Sequence, residues 1–440
     1  MSVPPRKEKM RVAMLGWEFP PFVSGGLGVH CYELTKCLAK SGVEVDFYMP
    51  RTGRKVKETE IAVLRTMPDE TVVKVKSEED EGVNIIQVTS ITRTGRLTAY
   101  PENSLEYQVS HQTTMSKDSE ELLGDVEEDE RGLYGKNFML DVENYNKRCV
   151  DAVIKNHRKR NYALVHNHDW LTIPAAVKIK AMAGLPRVQT VHSTEFDRAP
   201  IPWERIMKIE RLGISDAERT IAVSNFTASK IESEYKADRN KIRVIYNGVD
   251  QSKFNKRDPG NPSRTVLFLG RLTEQKGPFH YLWAAKRVLD KEKNVKFLMV
   301  GEGSLLPFLI KETFKLGIQD KVIFTGYIPA DQLKKVYSKC DIYVMPSLSE
   351  PFGITALEAM CSGTPVVLSK SSGVGEATRH NLKVDYWDVD LMAEYILALL
   401  KYRALSDTLT KNQLTEVKKF TWDKCANKTL GVYKEIALYQ

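Results

Sequence analysis

Short apolar segments with the character of β-strands alternate with helical patterns along most of the 440-residue chain. Examples of such strands are residues 11–15, 43–49, 220–223, 242–245, 266–269, 296–300, 322–325 and 365–368. Continuous apolar strands separated by helices are typical of parallel sheets that carry helices on both faces. Because a single hydrophobic core rarely serves more than about 250 to 300 residues, we expect at least two α/β domains.

The boundary between these domains is expected near residue 258, because apolar periodicity is lost over residues 251–263, a stretch with two prolines and a glycine. The sequence therefore predicts a first domain over residues 1–258, a second over 259–415 and a C-terminal helical segment over 416–440. Residues 66–134 are charged and irregular, with an acidic run at 120–128. We interpret them as a surface loop inserted at the edge of the first domain.

Composition limits the partners and the location of the chain. The net charge of +8, from 65 basic and 57 acidic residues, favours small anionic ligands. Lysine and arginine form clusters in the sequence, but these clusters lack a recognisable nucleic-acid-binding motif, so no nucleic-acid partner is expected. No apolar run reaches about 18 residues and residues 1–10 lack an apolar core, so we expect no membrane span, no secretory signal and a cytoplasmic protein. Six cysteines without a Cys-x-x-Cys pair are expected to be free, buried thiols.

The residues from 340 to 368 join two glutamates to the start of a helix. An apolar strand at 340–346 leads into a loop, and a helix is predicted from Ile354 to Cys361. The backbone amides of Gly353, Ile354 and Thr355 would then point out of the carboxyl edge of the sheet, where open α/β sheets bind ligands and helix starts attract phosphate. Glu350 would stand in the loop and Glu358 in the second helical turn. Taken alone, the pair also fits a capping glutamate and a surface glutamate.

Glu350 and Glu358, with Pro-Phe-Gly after the first, resemble the nucleotide-sugar site of retaining glycosyltransferases with two Rossmann-like domains. Three further segments are similar to glycogen and starch synthases, in the same order along the chain. They are the glycine pair Gly25-Gly26 before a helix, the His-x-His-Asp-Trp element at 166–170, and Arg271 with Lys276 in the loop after an apolar strand. The resemblance implies the GT-B fold of glycosyltransferase family 5 or family 4 type. In this α/β fold, two Rossmann-like domains face each other across a deep cleft and the last helix returns to the first domain.

The resemblance also implies a role for each matched residue. The catalytic residues would be His168, Arg271, Lys276 and Glu350. Of these, His168 and Glu350 would contact the donor sugar, and Arg271 and Lys276 would bind the diphosphate. A second set would bind the rest of the donor: Gly25, Gly26, Asn247, Tyr327, Gly353, Ile354, Thr355 and Glu358. Within the second set, Glu358 would hold the ribose, Tyr327 would lie by the base and Asn247 would reach the cleft. Each assignment has an alternative. Arg271 and Lys276 could be ordinary solvated loop charges, His168 an ordinary loop histidine, and Asn247 a turn residue. His192 could line the same cleft.

Neither a metal nor a cofactor is expected. Asp388 and Asp390 have the Asp-x-Asp spacing with which single-domain glycosyltransferases hold a divalent ion, but a helical pattern follows at once and favours a helix cap. His166 and His168 resemble a metal pair, although their neighbours offer only Asp169 as a further ligand. Arg271, Lys276 and a helix start can neutralise a departing diphosphate without a metal.

The resemblance implies a retaining glucosyltransferase of the glycogen synthase type, which transfers glucose from ADP-glucose or UDP-glucose to the non-reducing end of an α-1,4-glucan. Val23 stands where these synthases carry a lysine, which leaves open a retaining hexosyltransferase that makes a disaccharide or a glycosylated solute from a small acceptor. A non-catalytic glycan- or surface-binding relative is a third alternative. The sequence is compatible with a homo-oligomer. Because neither domain holds a complete site, we expect the domains to close around the donor.

Overall fold

The structure, a computed structural model, describes residues 9–19, 25–50, 64–66, 70–74, 83–88, 138–254 and 264–437. Two β-sheets organise these residues, each surrounded by helices. The prediction of an α/β fold built from two largely parallel sheets is confirmed. Among the helices described, none combines the length and the apolar character needed to cross a lipid bilayer. All six cysteines are free and buried, as predicted.

The first sheet has nine strands in the order β3-β4-β5-β2-β1-β6-β7-β8-β9. Their bounds are β1 Arg11–Leu15, β2 Glu44–Pro50, β3 Leu64–Thr66, β4 Glu70–Lys74, β5 Val83–Val88, β6 Leu164–His168, β7 Arg187–Val191, β8 Arg219–Ala222 and β9 Ile242–Val244. Pairing is parallel from β5 through to β9, and β4 pairs antiparallel with both β3 and β5. The apolar runs of β1 and β6 are buried on both faces, which is typical of parallel strands.

The helices that cover the first sheet are α1 Gly26–Lys40, α2 Phe138–Arg160, α3 Ile173–Ala183, α4 Glu195–Arg198, α5 Glu204–Asp216 and α6 Asn225–Tyr235. The start and the end of α3 follow from its sequence. It has a proline in its first turn and ends at Gly184, whose φ of 66° lies in the left-handed region that favours glycine. Its buried face, with Ile173, Ala176 and Ile179, packs into the core of the first sheet.

The prediction of a surface loop over residues 66–134 is wrong for part of that segment. The stretches 70–74 and 83–88 are strands of the first sheet, and β5 pairs along β2. Their valines and isoleucines have β-branched side chains, which fit a pleated sheet, and the surrounding charges hid this signal. The acidic run at 120–128 lies outside the described residues.

The second sheet has six parallel strands in the order β12-β11-β10-β13-β14-β15. Their bounds are β10 Arg264–Leu269, β11 Val295–Val300, β12 Val322–Phe324, β13 Ile342–Met345, β14 Val366–Ser369 and β15 Leu382–Val384. The order reverses between β10 and β13. In open α/β sheets, the crevice at the carboxyl ends of the strands beside such a reversal is where ligands bind.

The remaining helices are α7 Pro278–Lys291, α8 Leu306–Leu316, α9 Ala330–Lys339, α10 Ile354–Cys361, α11 Gly373–Ala377, α12 Val389–Lys401, α13 Arg403–Glu416 and α14 Trp422–Ala437. The last helix, α14, packs into the first core through Trp422 and Tyr433. The segment around Gly248 approaches the start of α14 closely, since a Cβ atom on Gly248 would lie 2.4 Å from the backbone nitrogen of Trp422. The predicted boundary near residue 258 falls in residues 255–263, which lie outside the described part of the chain.

Candidate active site

Two loops meet in the crevice of the second sheet, one after β10 and the other after β13. The loop at 270–277 ends at Gly277, which has a φ of +66°, and a Cβ atom there would lie 2.1 Å from the carbonyl oxygen of Pro346. Leu348 N donates to Gln275 O at 2.9 Å, and Gln275 Nε2 donates to the carbonyl oxygen of Ser349 at 3.1 Å. A glycine at position 277 therefore allows the two loops to be tied together.

This junction brings together two of the residues that the sequence singled out. Lys276 Nζ lies 2.7 Å from Glu350 Oε2, and both side chains are largely buried. Ser347 Oγ donates to the same carboxylate oxygen at 3.3 Å. Arg271 lies in the same loop, with Nη2 3.5 Å from Gln275 Oε1. Two cationic side chains and one carboxylate thus share one end of the sheet.

The start of α10 lies directly after the Glu350 loop. Gly353 has a φ of +103°, and a Cβ atom there would lie about 3 Å from Met345 and Val374, so the position requires glycine. No side chain of the described residues caps this helix start. The first amides of a helix have no partner within the helix and attract anions, so Ile354 and Thr355 can present theirs to a ligand. The Thr355 hydroxyl is held 2.8 Å from the Tyr343 hydroxyl.

The other two residues expected to bind the nucleoside lie farther along the same edge. Tyr337 OH donates to Glu358 Oε2 at 2.8 Å, and burial raises the pKa of the Glu358 carboxyl above its usual value. Tyr327 follows β12, with 47% of its surface exposed, and its backbone nitrogen donates to Glu302 Oε1 at 3.2 Å.

The glycine pair of the first domain faces the helix start of the second. A Cβ atom on Gly26, the first residue of α1, would lie 3.8 Å from Ile354 Cδ1, and one on Gly25 would meet nothing within 4 Å. Two helix starts, one from each domain, therefore flank a common space. Residues 20–24, which include Val23, lie outside the described residues.

His168 belongs to a cluster of imidazoles at the carboxyl edge of the first sheet. Its Nδ1 lies 3.0 Å from His192 Nε2, and His30 Nδ1 lies 2.8 Å from Asn247 Oδ1. The rings of His30 and His192 are 4.4 Å apart. Burial lowers the pKa of His30 to about 4 and lowers the pKa of His168 and of His192. These imidazoles are therefore neutral at pH 7.

Two sequence expectations about polar residues can be compared here with contacts in the structure. His166, which with His168 resembles a metal pair in the sequence, is hydrogen-bonded at both ring nitrogens, with Nδ1 2.6 Å from Tyr433 OH and Nε2 2.7 Å from Thr190 Oγ1. The predicted helix cap is confirmed, since Asp388 Oδ1 accepts from Leu391 N at 3.0 Å. Asp390 pairs with Arg287 at 2.7 Å. Sequence analysis missed His30, which has helical spacing among apolar residues and reads as part of a buried face.

Several hydrogen bonds join the two domains, and the sequence did not predict them. Ser349 Oγ donates to Asp197 Oδ1 at 2.6 Å, and Lys230 Nζ donates to Ser349 Oγ at 2.7 Å. Ser224 Oγ donates to Pro351 O at 2.5 Å. The Glu376 carboxylate accepts from the first two amides of α6 at 2.6 and 2.8 Å. The first domain thus holds the loop that carries Glu350 on both sides of that residue.

Two family descriptions match the chain. "Glycosyltransferase Family 4" matches residues 117–253, and "Glycosyl transferases group 1" matches residues 249–415. Together they cover residues 117–415, which include strands β6 to β9 of the first sheet and all six strands of the second.

Curated relatives and solved structures agree with these matches. An uncharacterized glycosyltransferase of Methanocaldococcus jannaschii is 29% identical over 97% of this chain and 98% of its own. A D-inositol 3-phosphate glycosyltransferase of Segniliparus rotundus is 31% identical over 66% of this chain and 68% of its own. A glycogen synthase of Mycobacterium tuberculosis is 25% identical over 96% and 94%.

Among solved structures, sucrose-phosphate synthase from Thermosynechococcus elongatus superposes with a TM-score of 0.72 at 21% identity, covering 98% of this chain and 100% of that one. The catalytic domain of starch synthase IV from Arabidopsis thaliana, bound to ADP and acarbose, superposes with a TM-score of 0.70 at 14% identity, covering 97% and 99%. At these identities the likeness concerns the fold alone.

Proposed function

Because the chain belongs to the GT-B glycosyltransferases, we propose that it transfers glucose from ADP-glucose or UDP-glucose to the non-reducing end of an α-1,4-glucan, with retention of configuration. The observation that carries the proposal is the Lys276–Glu350 pair beside the uncapped start of α10. A cation, free helix amides and a carboxylate at one sheet edge are complementary to a sugar diphosphate, which offers phosphate oxygens and hydroxyl hydrogens.

The groups divide naturally between the two halves of the donor. Lys276, Arg271 and the amides of Ile354 and Thr355 bind the diphosphate, and Glu350 accepts hydrogen bonds from the sugar hydroxyls. Glu358, held by Tyr337, accepts from the ribose in the same way. Gly25 and Gly26 lie opposite, where the lack of side chains leaves room for the donor.

Transfer proceeds by attack from the face that the diphosphate leaves. The bond from the anomeric carbon to the diphosphate oxygen breaks as the bond to the acceptor oxygen forms, and the leaving diphosphate takes the acceptor's proton. Charge therefore develops on the diphosphate, where Lys276, Arg271 and the α10 amides stabilise it. Each well-placed donor of this kind contributes about 3 to 4 kcal/mol. This stabilisation makes a metal ion unnecessary for transfer.

A polymeric acceptor is supported by the relatives that align along the chain's whole length. The glycogen synthase of Mycobacterium tuberculosis aligns over 96% of this chain, and the starch synthase IV catalytic domain, bound to ADP and acarbose, shares its fold. A small acceptor is the second candidate. It is favoured by the 31% identity to a D-inositol 3-phosphate glycosyltransferase, which extends over 66% of this chain.

Product analysis tests both candidates. The purified protein is incubated with ADP-glucose or UDP-glucose and either glycogen or an inositol phosphate, and nucleoside diphosphate and glycosylated product are measured. We expect glycogen to gain α-linked glucose in step with nucleoside diphosphate release, with the new anomeric configuration read by NMR. Transfer to the inositol phosphate alone would favour the small acceptor. A β-linked product would contradict retention.

A further inference from the structure

Three imidazoles from three different segments converge in the first domain. His30 comes from α1, His168 ends β6, and His192 follows β7. One ring nitrogen of each lies within 4.8 Å of the others. The ring centroids are 4.4 Å apart for His30 and His192, 5.3 Å for His168 and His192, and 5.6 Å for His30 and His168. The three rings therefore pack against one another, each with a nitrogen near the other two.

Hydrogen bonding leaves this cluster with unused nitrogen atoms. A carboxamide oxygen only accepts hydrogen bonds, so the contact with Asn247 Oδ1 places the hydrogen of His30 on Nδ1 and the lone pair on Nε2. That Nε2 atom is buried and has no hydrogen-bond partner among the described residues. His168 Nε2 is also buried and unpartnered within the described ranges, while the other nitrogen of that ring, Nδ1, faces His192. Buried polar atoms normally find partners, so this arrangement requires an explanation.

The geometry suits a metal ion. A tetrahedral zinc ion lies about 2.0 to 2.1 Å from each imidazole nitrogen, which places two such nitrogens about 3.4 Å apart. His168 Nδ1 and His192 Nε2 are 3.0 Å apart, so they need to separate by only a few tenths of an ångström. Asn247 on the far nitrogen of His30 matches the outer partner that usually orients a metal-binding histidine. His192 is only partly buried, which gives an ion a way in.

We infer that His30, His168 and His192 bind one transition-metal ion of the zinc class, with its remaining coordination positions open to water or ligand. Neutral imidazoles prefer zinc, cobalt, nickel or copper to magnesium or calcium, which prefer oxygen. His166 takes no part, because both of its ring nitrogens are hydrogen-bonded. An ion here would occupy the place assigned to the donor sugar, a consequence that rests on the proposed function and predicts competition with the donor.

Metal titration without donor or acceptor tests the site, so its outcome is independent of the transfer activity. The tag-free protein is treated with chelator, dialysed and titrated with Co²⁺, whose visible spectrum reports tetrahedral coordination, and then with Zn²⁺ by calorimetry. We expect one ion per chain, a tetrahedral cobalt spectrum, and displacement of Co²⁺ by Zn²⁺. A protein that binds neither ion, or binds Co²⁺ without the tetrahedral spectrum, would overturn the inference.

Variants identify the ligands. His30→Asn and His192→Asn should each abolish the tetrahedral spectrum, and Asn247→Ala should weaken binding about 10- to 100-fold by freeing the His30 ring. His380→Asn is the control, since His380 is exposed in the second domain and should leave binding unchanged. Circular dichroism and thermal melting confirm that each variant is folded. Unchanged binding in the folded His30→Asn and His192→Asn variants would also overturn the inference.

Discussion

The Ser349 hydroxyl in the second domain donates a hydrogen bond to Asp197 Oδ1 in the first, over 2.6 Å. Lys230 Nζ contacts both partners and places a positive charge beside the Asp197 carboxylate. Because Ser349 precedes Glu350, the first domain helps to fix the loop that carries the Lys276–Glu350 pair. The proposed donor site therefore depends on contacts between the two domains as well as on the second sheet.

Removal of the Ser349 hydroxyl should impair the donor site without unfolding the protein. Ser349→Ala loses one hydrogen bond to a charged group, worth about 1.5 to 3 kcal/mol, so we expect kcat/KM for the donor to fall about 10- to 100-fold. Ser233→Ala is the control, since Ser233 is exposed on α6 and bonds only within its own helix. Steady-state kinetics at varied donor concentration measure the effect. Equal kcat/KM in the two variants would show that the contact does not position the loop.

Neutralising Glu358 should separate stability from activity. Burial raises the pKa of this carboxyl in the folded protein above its value in the unfolded chain. The stability that the group contributes is therefore fully present at a pH below the pKa of the unfolded chain. It is lost as the pH rises through the pKa of the folded protein, because the buried carboxyl then becomes charged. Glu358→Gln keeps an acceptor for Tyr337 but carries no charge. We expect the variant to unfold at higher urea than the wild type at pH 7.5, and at similar urea at pH 4.

The same variant should bind the donor more weakly, because a neutral amide replaces the carboxylate that we propose accepts a hydrogen bond from the ribose. We expect KM for the donor to rise about tenfold, in line with the loss of a charge-assisted hydrogen bond. A Glu358→Gln enzyme that is less stable at pH 7.5 and has an unchanged KM would contradict both parts.

Alanine variants at two glycines can distinguish the steric effect of a Cβ atom at position 277 from the cost of its positive φ. Gly277 and Gly317 both have positive φ angles, +66° and +65°, but a Cβ atom meets Pro346 O only at Gly277 and meets nothing within 4 Å at Gly317. Gly317→Ala should cost about 1 to 2 kcal/mol of unfolding free energy and leave turnover unchanged. Gly277→Ala should cost more and reduce turnover, because it forces the two loops apart. Similar kinetics for both variants would exclude this role for the junction.

Chelation should leave transfer nearly intact. Asp388 caps α12 and Asp390 pairs with Arg287, so the Asp-x-Asp pair is engaged elsewhere. We expect the rate measured in EDTA to match the untreated rate closely. Loss of activity in EDTA that Mn²⁺ or Mg²⁺ restores in full would contradict metal-independent transfer.

Local patterns in the sequence predicted most of the architecture and part of the site. Strands such as 266–269 can be predicted because parallel strands are buried on both faces and so have continuous apolar sequences. The positions of Lys276 and Glu350 follow from the same logic, since the carboxyl ends of neighbouring parallel strands share one edge. Strands 70–74 and 83–88 were missed because charged residues stand next to their valines and isoleucines in the sequence.

Contacts between distant segments could not be predicted in the same way. Asp197 and Ser349 are 152 positions apart, and their contact depends on how the two sheets are placed relative to each other. His30 was overlooked because its spacing on α1 is that of a core residue, and only the fold reveals that His168 and His192 lie beside it. Periodicity reports which side of an element is buried, but not which distant residue it meets.

Turnover of Lys276→Ala is the most direct test of the donor site. Lys276 contacts Glu350 and is proposed to stabilise the charge that develops on the diphosphate, so its loss should lower kcat about 10²- to 10³-fold while the protein remains folded. Lys293→Ala is the matched control, because Lys293 is exposed before β11, at the opposite edge of the same sheet. Nucleoside diphosphate release is measured for both variants with ADP-glucose and UDP-glucose. A folded Lys276→Ala enzyme that turns over as fast as Lys293→Ala would remove Lys276 from the diphosphate site and contradict the proposed mechanism.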